Sequence, residues 1–342
     1  MLNLISFIIV ISISVISHEF GHFITAKHFC VFVHEFSFGM GPSLISVKHG
    51  NTLYSFRLLP IGGYVKFEGE DGSTANSVNK GKSLNNVCPM HRLFIVLAGP
   101  VVNILLALIF TTAFLYSNGI YDSTTTYIGK VLDGSPAAIS NFQPDDRILS
   151  INNIQVKKWN EISSALNIDT HRNNVFNIKL DRSGALLEKE ITILPDKGRY
   201  FLGILPRKLN LTFFSSLKNA FNYLESMTIS ILRGFTDLVI GNSTGEVVGP
   251  VGIAVIAGDS IRQGFWSFIT FLAIINLHLG LINLFPFPAL DGGRAFLIAF
   301  ELITGKKMSE NKEIVLHYIG FLVLISLMLV VTLKDLIKII SG

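Results

Sequence analysis

The sequence predicts a polytopic α-helical membrane protein with about four transmembrane helices, a membrane-associated β-hairpin region and one inserted α+β domain. Composition supplies the first reason. The 342 residues are 49% hydrophobic and only 15% charged, whereas soluble domains carry about 25% charged residues. The second reason is that the apolar residues cluster in four runs, each close to the roughly 20 residues that a spanning helix needs. These runs lie near positions 2–24, 93–117, 266–287 and 314–333.

Charge and cysteine content exclude two other classes of protein. The net charge is only +4, and the basic residues form no stripe interleaved with aromatic residues. Nucleic acid is therefore not an expected partner, whereas the lipid bilayer is. Cys30 and Cys88 form no Cys-x-x-Cys pair, and we expect two free thiols because nothing indicates a disulfide framework.

The first apolar run resembles a secretory signal peptide in its position at the N-terminus. It begins with residues 1–4, Met-Leu-Asn-Leu, which supply no positive charge, and no small-residue cleavage site precedes His18. Signal peptides carry both features. We therefore expect this run to be the first transmembrane helix.

A His-Glu-x-x-His motif occurs inside this first run, at residues 18–22. Residues four apart share one face of a helix, so His18 and His22 can bind one metal ion, and Glu19 then projects beside it where it can take a proton from water. Residues 2–17 contain no charged side chain, and ionisable groups at membrane depth are costly unless they serve a function. The motif predicts a zinc site; a mutually satisfied polar cluster is the alternative.

Zinc sites of this kind need a third protein ligand and keep one position open. Asp291 follows the third apolar run, directly after a segment in which Pro286 and Pro288 must break the helix. Non-helical backbone at membrane depth survives only where it is buried in protein or lines a watery cavity. Asp291 is therefore the candidate third ligand of one Zn²⁺ per chain, and a helix N-cap is the alternative that stays open.

The distribution of charge between loops predicts the orientation of the chain. Lys and Arg are frequent in residues 25–92 and 292–313 and sparse beside the segment 118–265. The positive-inside rule then places the first and third loops in the cytoplasm, with both termini and the polar middle segment outside. Lys334 and Lys338 weigh against this orientation. In it, His18 and the proline break reach the same inner side of the roughly 30 Å hydrocarbon layer.

The His-Glu-Phe-Gly-His motif and the late Asn-x-x-Pro-x-Pro-x-Leu-Asp-Gly-Gly segment resemble the site-two-protease family of intramembrane zinc metalloproteases, nearest to its bacterial regulator of sigma-E branch. Residues 38–42, 60–66 and 98–103 also match this family. The resemblance implies that His18, His22 and Asp291 bind zinc and that Glu19 is the catalytic base. It also implies a bacterial inner-membrane location. The expected substrates are single-span membrane proteins, either anti-sigma-factor-like proteins or signal-peptide remnants.

The first cytoplasmic loop alternates in the manner of β-strands over residues 46–68, and residues 60–63 are interpreted as its turn. In relatives this region looks like a hairpin whose edge pairs with an extended substrate, which predicts substrate contacts at Gly62 and Gly63. An ordinary hairpin on the membrane surface is the alternative.

Three further polar residues near the apolar runs are candidate substrate contacts. Asn103 and Asn283 are expected to position substrate or ligands, although helix packing is the more ordinary role for Asn103. His278 occupies a position where the family usually has an asparagine. A histidine makes a different set of hydrogen bonds from an amide, so this departure could alter the hold on substrate.

The segment 125–206 contains short β-branched runs and a helix start, and it looks like one bacterial PDZ domain. The runs lie at 127–131, 147–151, 175–180 and 191–193, and the helix start at 134–138. Such a domain could bind extended chains by strand addition or block bulky substrates, and both roles stay open. Residues 207–264 are predicted to hold an amphipathic helix on the outer membrane surface and a linker. Residues 1–120 and 265–342 then form the membrane parts.

Two classes of function fit this organisation. The first is a protease that hydrolyses peptide bonds within or near the bilayer. The second is a catalytically inactive membrane scaffold that uses its PDZ domain to bind partners. A scaffold has no need of the intact set His18, Glu19, His22 and Asp291, so the sequence favours the protease.

Overall fold

A computed structural model describes residues 1–69, 83–168, 174–195, 198–241 and 248–341. The chain divides into two compact units, one of Met1–Phe114 with Leu217–Gly342 and the other of Leu115–Ser216. Four helices of the described residues are long and apolar enough to cross a membrane, at Leu2–His28, Pro89–Asn118, Phe265–Leu284 and Asn311–Lys338. The predicted number of spans and their approximate positions are confirmed.

The elements follow one another along the chain in this order. They are α1 (Leu2–His28), β1 (Val33–His49), β2 (Thr52–Phe67), α2 (Pro89–Asn118), β3 (Ile120–Tyr121), β4 (Ile128–Val131), α3 (Pro136–Ile139), β5 (Arg147–Ile151), β6 (Ile154–Gln155), α4 (Trp159–Leu166), β7 (Val175–Arg182), β8 (Ala185–Thr192), β9 (Ile204–Pro206), β10 (Lys208–Leu209), α5 (Phe213–Ile240), α6 (Pro250–Arg262), α7 (Phe265–Leu284), α8 (Asp291–Thr304) and α9 (Glu310–Ser341).

Glycines bring the membrane helices of the first unit close together. A β-carbon on Gly21 of α1 would lie 2.5 Å from the carbonyl oxygen of Ala98 on α2, and one on Gly280 of α7 would lie 2.9 Å from the carbonyl oxygen of Pro100 on α2. Between membrane helices small residues permit such backbone contact, because lipid gives no hydrophobic drive for association. Helix α2 thus packs directly against the face of α1 that carries His18 and His22.

The pairing of β1 with β2 includes more than one reversal of the chain. One lies at residues 50–51, where Gly50 has φ +59° and His49 faces Thr52. Residues 53–56 and 63–66 of β2 both pair with residues 35–38 of β1, but they run in opposite directions. The chain therefore also reverses between residues 57 and 62, which overlaps the turn predicted at 60–63. Gly62, with φ +83°, lies at the end of this reversal, and register shifts occur throughout the pairing.

Two short helices beside the spans were not foreseen as separate elements. Helix α6 is separated from α7 by Gly264, which has φ +113°. Helix α8 begins at Asp291, after a turn of residues 285–290 that follows α7. Helix α8 packs on α2 through Ala295, Ile298 and Val96. The turn and α8 therefore bring Asp291 to the centre of the membrane unit.

The second unit is an α+β structure with its own core. Strands β6-β5-β7-β8 form an antiparallel sheet in that order, and β4 pairs with β9. The sheet strands coincide with the runs predicted at 147–151 and 175–180. Ser135 caps α3 by accepting a hydrogen bond from the Ala138 amide at 3.2 Å, which explains the helix start in the sequence. Assignment of the unit as a PDZ domain stays a prediction.

Candidate active site

Three potential ligand atoms from α1 and α8 converge on one point. The Nε2 atoms of His18 and His22 lie 3.2 Å apart. Asp291 Oδ2 lies 2.9 Å from His18 Nε2 and 3.4 Å from His22 Nε2. These residues form the one group of at least three His, Cys, Asp or Glu side chains in the described part of the chain that could hold a metal ion.

The spacing of these three atoms fits tetrahedral zinc. Zinc binds nitrogen and oxygen ligands at about 2.0–2.2 Å, so two ligand atoms at the tetrahedral angle lie roughly 3.3–3.4 Å apart. The observed separations range from 2.9 to 3.4 Å. The Oδ2 atom of Asp291 is buried and has no hydrogen bond of good geometry among the described residues. Two imidazoles and one carboxylate are a donor set typical of catalytic zinc sites.

The second nitrogen of His22 sets the direction of its ring. Its Nδ1–H donates to the carbonyl oxygen of Ile95 on α2 at 2.8 Å. This hydrogen bond fixes the proton on Nδ1 and leaves the lone pair of Nε2 directed at Asp291. The ring of His22 can reach the Ile95 carbonyl because Gly99, four residues further along α2, has no side chain to block it.

Gly99 of α2 packs directly against the rings of His18 and His22. A β-carbon added there would lie 2.7 Å from Cε1 of His22 and 2.9 Å from Cε1 of His18. Carbon atoms in good contact lie about 3.5–4.0 Å apart, so no larger residue fits under the two rings. The match at residues 98–103 thus has a direct steric reason.

Asn103 lies on the other side of His18. It is fully buried, and its side-chain amide nitrogen lies 3.4 Å from His18 Nδ1. The amide oxygen is buried and has no partner among the described residues. Asn103 therefore contacts a candidate ligand and does not line the cavity directly.

Asp291 is the first residue of α8, and Leu290 occupies the N-cap position. The carboxylate faces the two histidines, so the N-cap alternative for Asp291 is wrong. Gly292 and Gly293 permit the close return of the chain, because a β-carbon on either would overlap the backbone of residues 284–285 or 287. Both glycines are needed to bring the carboxylate back to α1.

Glu19 faces a cavity of about 620 Å³ that also reaches His18, His22 and Asp291. Its Cγ lies 3.6 Å from the position of a β-carbon on Gly63, so Glu19 stands directly beside β2. Its carboxylate is close enough to act electrostatically on His22. The cavity provides room for water beside Glu19.

Tyr64 of the hairpin lines the cavity and belongs to a polar cluster. The Tyr64 hydroxyl donates to Glu35 Oε2 at 2.7 Å, and Arg57 donates to Glu35 Oε1 at 2.7 Å. Burial and the hydrogen bond to Glu35 raise the pKa of Tyr64 to about 12. The phenol therefore stays protonated at physiological pH, and its direction is fixed.

The structure also locates the other residues that the sequence predicts to contact substrate. Gly63 on β2 lies beside Glu19, whereas Gly62, with φ +83°, lies against the Met40 side chain. Asn283 is partly buried at the penultimate residue of α7. His278 Nδ1–H donates to the Ile274 carbonyl of its own helix at 2.8 Å. Within the described contacts, neither Asn283 nor His278 is bonded to the histidines.

Two polar residues, one buried and one partly buried, were missed by sequence reasoning. Asn276 is fully buried on α7, and its amide donates to Ser14 Oγ on α1 at 3.1 Å. His317 on α9 lines the cavity and accepts a hydrogen bond from the Ala289 amide at 2.9 Å. A polar residue inside an apolar run was the available signal for both.

Comparison with known proteins agrees with this geometry. The model of peptidase family M50 matches residues 6–327. The chain is 35% identical over 341 residues to a protein of Clostridium acetobutylicum that is provisionally named a zinc metalloprotease, covering 98% of this chain and 97% of that protein. A protein of Fusobacterium nucleatum with the same provisional name is 34% identical, covering 97% of both chains.

A relative with a firm name gives the same result. The zinc metalloprotease RasP of Shouchella clausii is 28% identical over 425 residues, covering 99% of this chain and the full length of that protein. The family match spans nearly the whole sequence and includes both halves of the His-His-Asp cluster. The chain therefore belongs to peptidase family M50, the site-two-protease family, and is an intramembrane zinc metalloprotease.

Proposed function

We propose that His18, His22 and Asp291 hold one Zn²⁺ and that Glu19 is the general base in peptide-bond hydrolysis within or near the bilayer. The observation that carries this proposal is the convergence of three ligand atoms at 2.9–3.4 Å beside a cavity that Glu19 also lines. The preceding comparisons independently support zinc and proteolysis.

The chemistry divides between the metal and Glu19. Zinc, when bound, is a Lewis acid that polarises the scissile carbonyl and makes water more acidic. Glu19 takes a proton from the attacking water and delivers it to the leaving amine. The partly exposed position of Glu19 in the cavity suits both steps.

Asn103 is a positioning residue for His18 in this proposal. A histidine that binds metal through Nε2 carries its proton on Nδ1 and donates it to an acceptor. Exchange of the amide nitrogen and oxygen of Asn103 places its unpartnered Oδ1 about where that acceptor is needed, 3.4 Å from Nδ1 in the observed geometry. The two orientations of an amide have the same shape. Asn103 therefore fixes the ring by hydrogen bonding, which is the ligand-positioning role among those expected of it from the sequence.

Substrate binding is assigned to the outer part of β2. Gly63 lies beside Glu19, and Gly62 and Gly63 lack side chains that would keep a peptide from the backbone. Pairing with a strand edge extends a peptide and leaves its carbonyls accessible. Asn283 and His278, both on α7, are proposed to contact the backbone of the unwound substrate.

The substrates proposed are single-span membrane proteins, of the anti-sigma-factor type or remnants of signal peptides. The proposed location is the bacterial inner membrane. The loop charges favour an orientation with residues 125–206 and both termini outside the cytoplasm. Residues 125–206 are proposed to form a PDZ domain that restricts or receives substrates. The test is which single-span proteins accumulate in a strain without the enzyme.

The chemical proposal is tested by metal analysis and cleavage of a model single-span substrate in detergent. Wild type should contain one zinc per chain and cleave, and Glu19→Gln should keep the zinc and lose cleavage by 10²-fold or more, the order of magnitude for a general base. Equal cleavage by both proteins would end the proposed mechanism. Substrate binding without cleavage by the zinc-loaded wild type would favour the scaffold.

A further inference from the structure

The turn that carries Asp291 has an unusual backbone. It joins α7 to α8 over residues 285–290, and Ala289 within it has φ +77°. This left-handed region is unfavourable for a residue with a β-carbon, and such a residue persists only where its surroundings hold it. Ala289 lies two residues before Asp291, so its conformation sets where the carboxylate points.

The amides of this turn are nearly all satisfied within the turn itself. Phe285 donates to Ile282, Phe287 to Phe285 and Leu290 to Phe287, each by a backbone hydrogen bond, and Pro286 and Pro288 have no amide hydrogen. The amide of Ala289 is the exception. It donates to Nδ1 of His317 on α9 at 2.9 Å.

Helix α9 fits the turn at a second point, one helical turn after His317. A β-carbon on Gly320 would overlap the carbonyl of Pro288. The turn therefore lies directly on the backbone of α9 at Gly320, and the imidazole of His317 reaches around it to Ala289. A steric contact at Pro288 and a hydrogen bond at Ala289 thus act together on two adjacent residues of the turn.

The hydrogen bond also defines the state of His317. Because Nδ1 accepts, the ring is neutral and its proton lies on Nε2. The Glu313 carboxylate lies 3.9 Å from Nε2, on the side that favours a proton there. His317 is thus an acceptor of fixed direction, as is required to hold a single amide.

We propose that His317 is a positioning residue for the metal site: its Nδ1 holds the Ala289 amide, and so keeps the Asp291 carboxylate in ligand position. His317 contacts neither the metal nor the reacting atoms, and it acts through the backbone. The inference rests on the proposed ligand role of Asp291.

The test compares variants that keep or remove the acceptor at Nδ1. His317→Asn places a side-chain amide oxygen near the position of Nδ1, whereas His317→Leu keeps similar bulk and has no acceptor. Zinc affinity is measured by competition with a chelator in the full-length detergent-solubilised protein, along with the melting temperature of the zinc-free form. Ile319→Ala is the matched control, since Ile319 is exposed on the opposite face of α9.

The expected result is a zinc affinity about tenfold lower in His317→Leu, the low end of the range for supporting residues of metal sites. His317→Asn should bind zinc within threefold of wild type, and Ile319→Ala should be unchanged. Wild-type affinity in His317→Leu would overturn the inference, as would equal loss in His317→Asn. Should His317→Leu not fold, His317→Gln, whose acceptor lies one bond further out, replaces it with the same expectation.

Failure of this inference is distinguishable from failure of the proposed function. Asp291→Ala tests the ligand role directly and should abolish zinc binding. If Asp291→Ala loses zinc while His317→Leu keeps wild-type affinity, only the inference is wrong. If Asp291→Ala keeps zinc, the ligand assignment itself fails.

Discussion

Replacement of Gly99 by alanine is the sharpest test of the packing under the two histidines. A β-carbon there lies 2.7 Å from His22 Cε1 and 2.9 Å from His18 Cε1. Good carbon contacts are about 3.5–4.0 Å, so the rings or α2 must move by roughly 0.6–1.3 Å. Catalytic groups must be held to about 0.5 Å, and a displacement of about 1 Å can reduce rate 10²-fold.

We therefore expect Gly99→Ala to lower proteolytic activity at least 10²-fold and zinc affinity about 10–100-fold. The assays are cleavage of a single-span substrate and competition for zinc with a chelator. Helix propensity acts in the opposite direction, because alanine is favoured over glycine by about 1 kcal/mol in a helix. Loss of function with unchanged melting temperature would thus assign the effect to the site.

Gly234 provides the matched control. It also lies inside a helix, α5, and a β-carbon there meets no atom within 4 Å among the described residues. Gly234→Ala should have activity within twofold of wild type and an equal or higher melting temperature. Full activity in Gly99→Ala would refute the steric reasoning and with it the described ring positions.

Three further predictions address other parts of the structure. Asn103→Leu should lower zinc affinity 10–100-fold in a chelator competition, since it removes the partner of His18; unchanged affinity would leave Asn103 with a packing role. Asp335→Ala should destabilise the protein by about 1–3 kcal/mol in thermal unfolding, because Asp335 accepts from the Gly252 amide at 2.9 Å at the start of α6; an unchanged melting temperature contradicts this. Burial opposes ionisation of Glu35, but its hydrogen bonds with Ser55, Tyr64 and Arg57 lower its pKa below the usual 4.5. The ionised carboxylate therefore stabilises the hairpin at pH values above 4.5. This stabilisation is lost as the pH falls through the lowered pKa. Relative to the intrinsic exchange rate at each pH, the protection of the β1–β2 amides from hydrogen exchange should fall at low pH in wild type, and Glu35→Gln should remove this fall. The same fall in both proteins would count against the prediction.

The parts of the site that follow local periodicity could be predicted from sequence. His18 and His22 are one helical turn apart, and that spacing alone places both rings on one side of α1. Asp291 was predictable because few acidic residues follow an apolar run and two prolines open the helix before it. The four spans followed from run length, since a fixed bilayer thickness demands it.

The parts that depend on contacts between helices could not be predicted. The hydrogen bond from His22 to the Ile95 carbonyl and the amide of Asn103 beside His18 arise from the approach of α2 to α1. Nothing in the sequence spacing reports that approach. The same holds for the hairpin, where residues 53–56 and 63–66 of β2 pair with the same residues of β1. The sequence predicts a turn at 60–63 but does not reveal this shared partner.

Helix α9 contacts the membrane unit through two polar side chains on one face of the helix. His317 contacts the turn before α8, and Asp335 accepts from the amides of Gly249 and Gly252 at the start of α6. The interval of 18 residues between positions 317 and 335 equals five turns of 3.6 residues, so both side chains share one azimuth. Insertion of a single residue between them would twist one anchor by about 100° against the other. Only one of the two contacts could then form. Insertion of a whole helical turn would keep both side chains on one face and would change only the distance between them along α9.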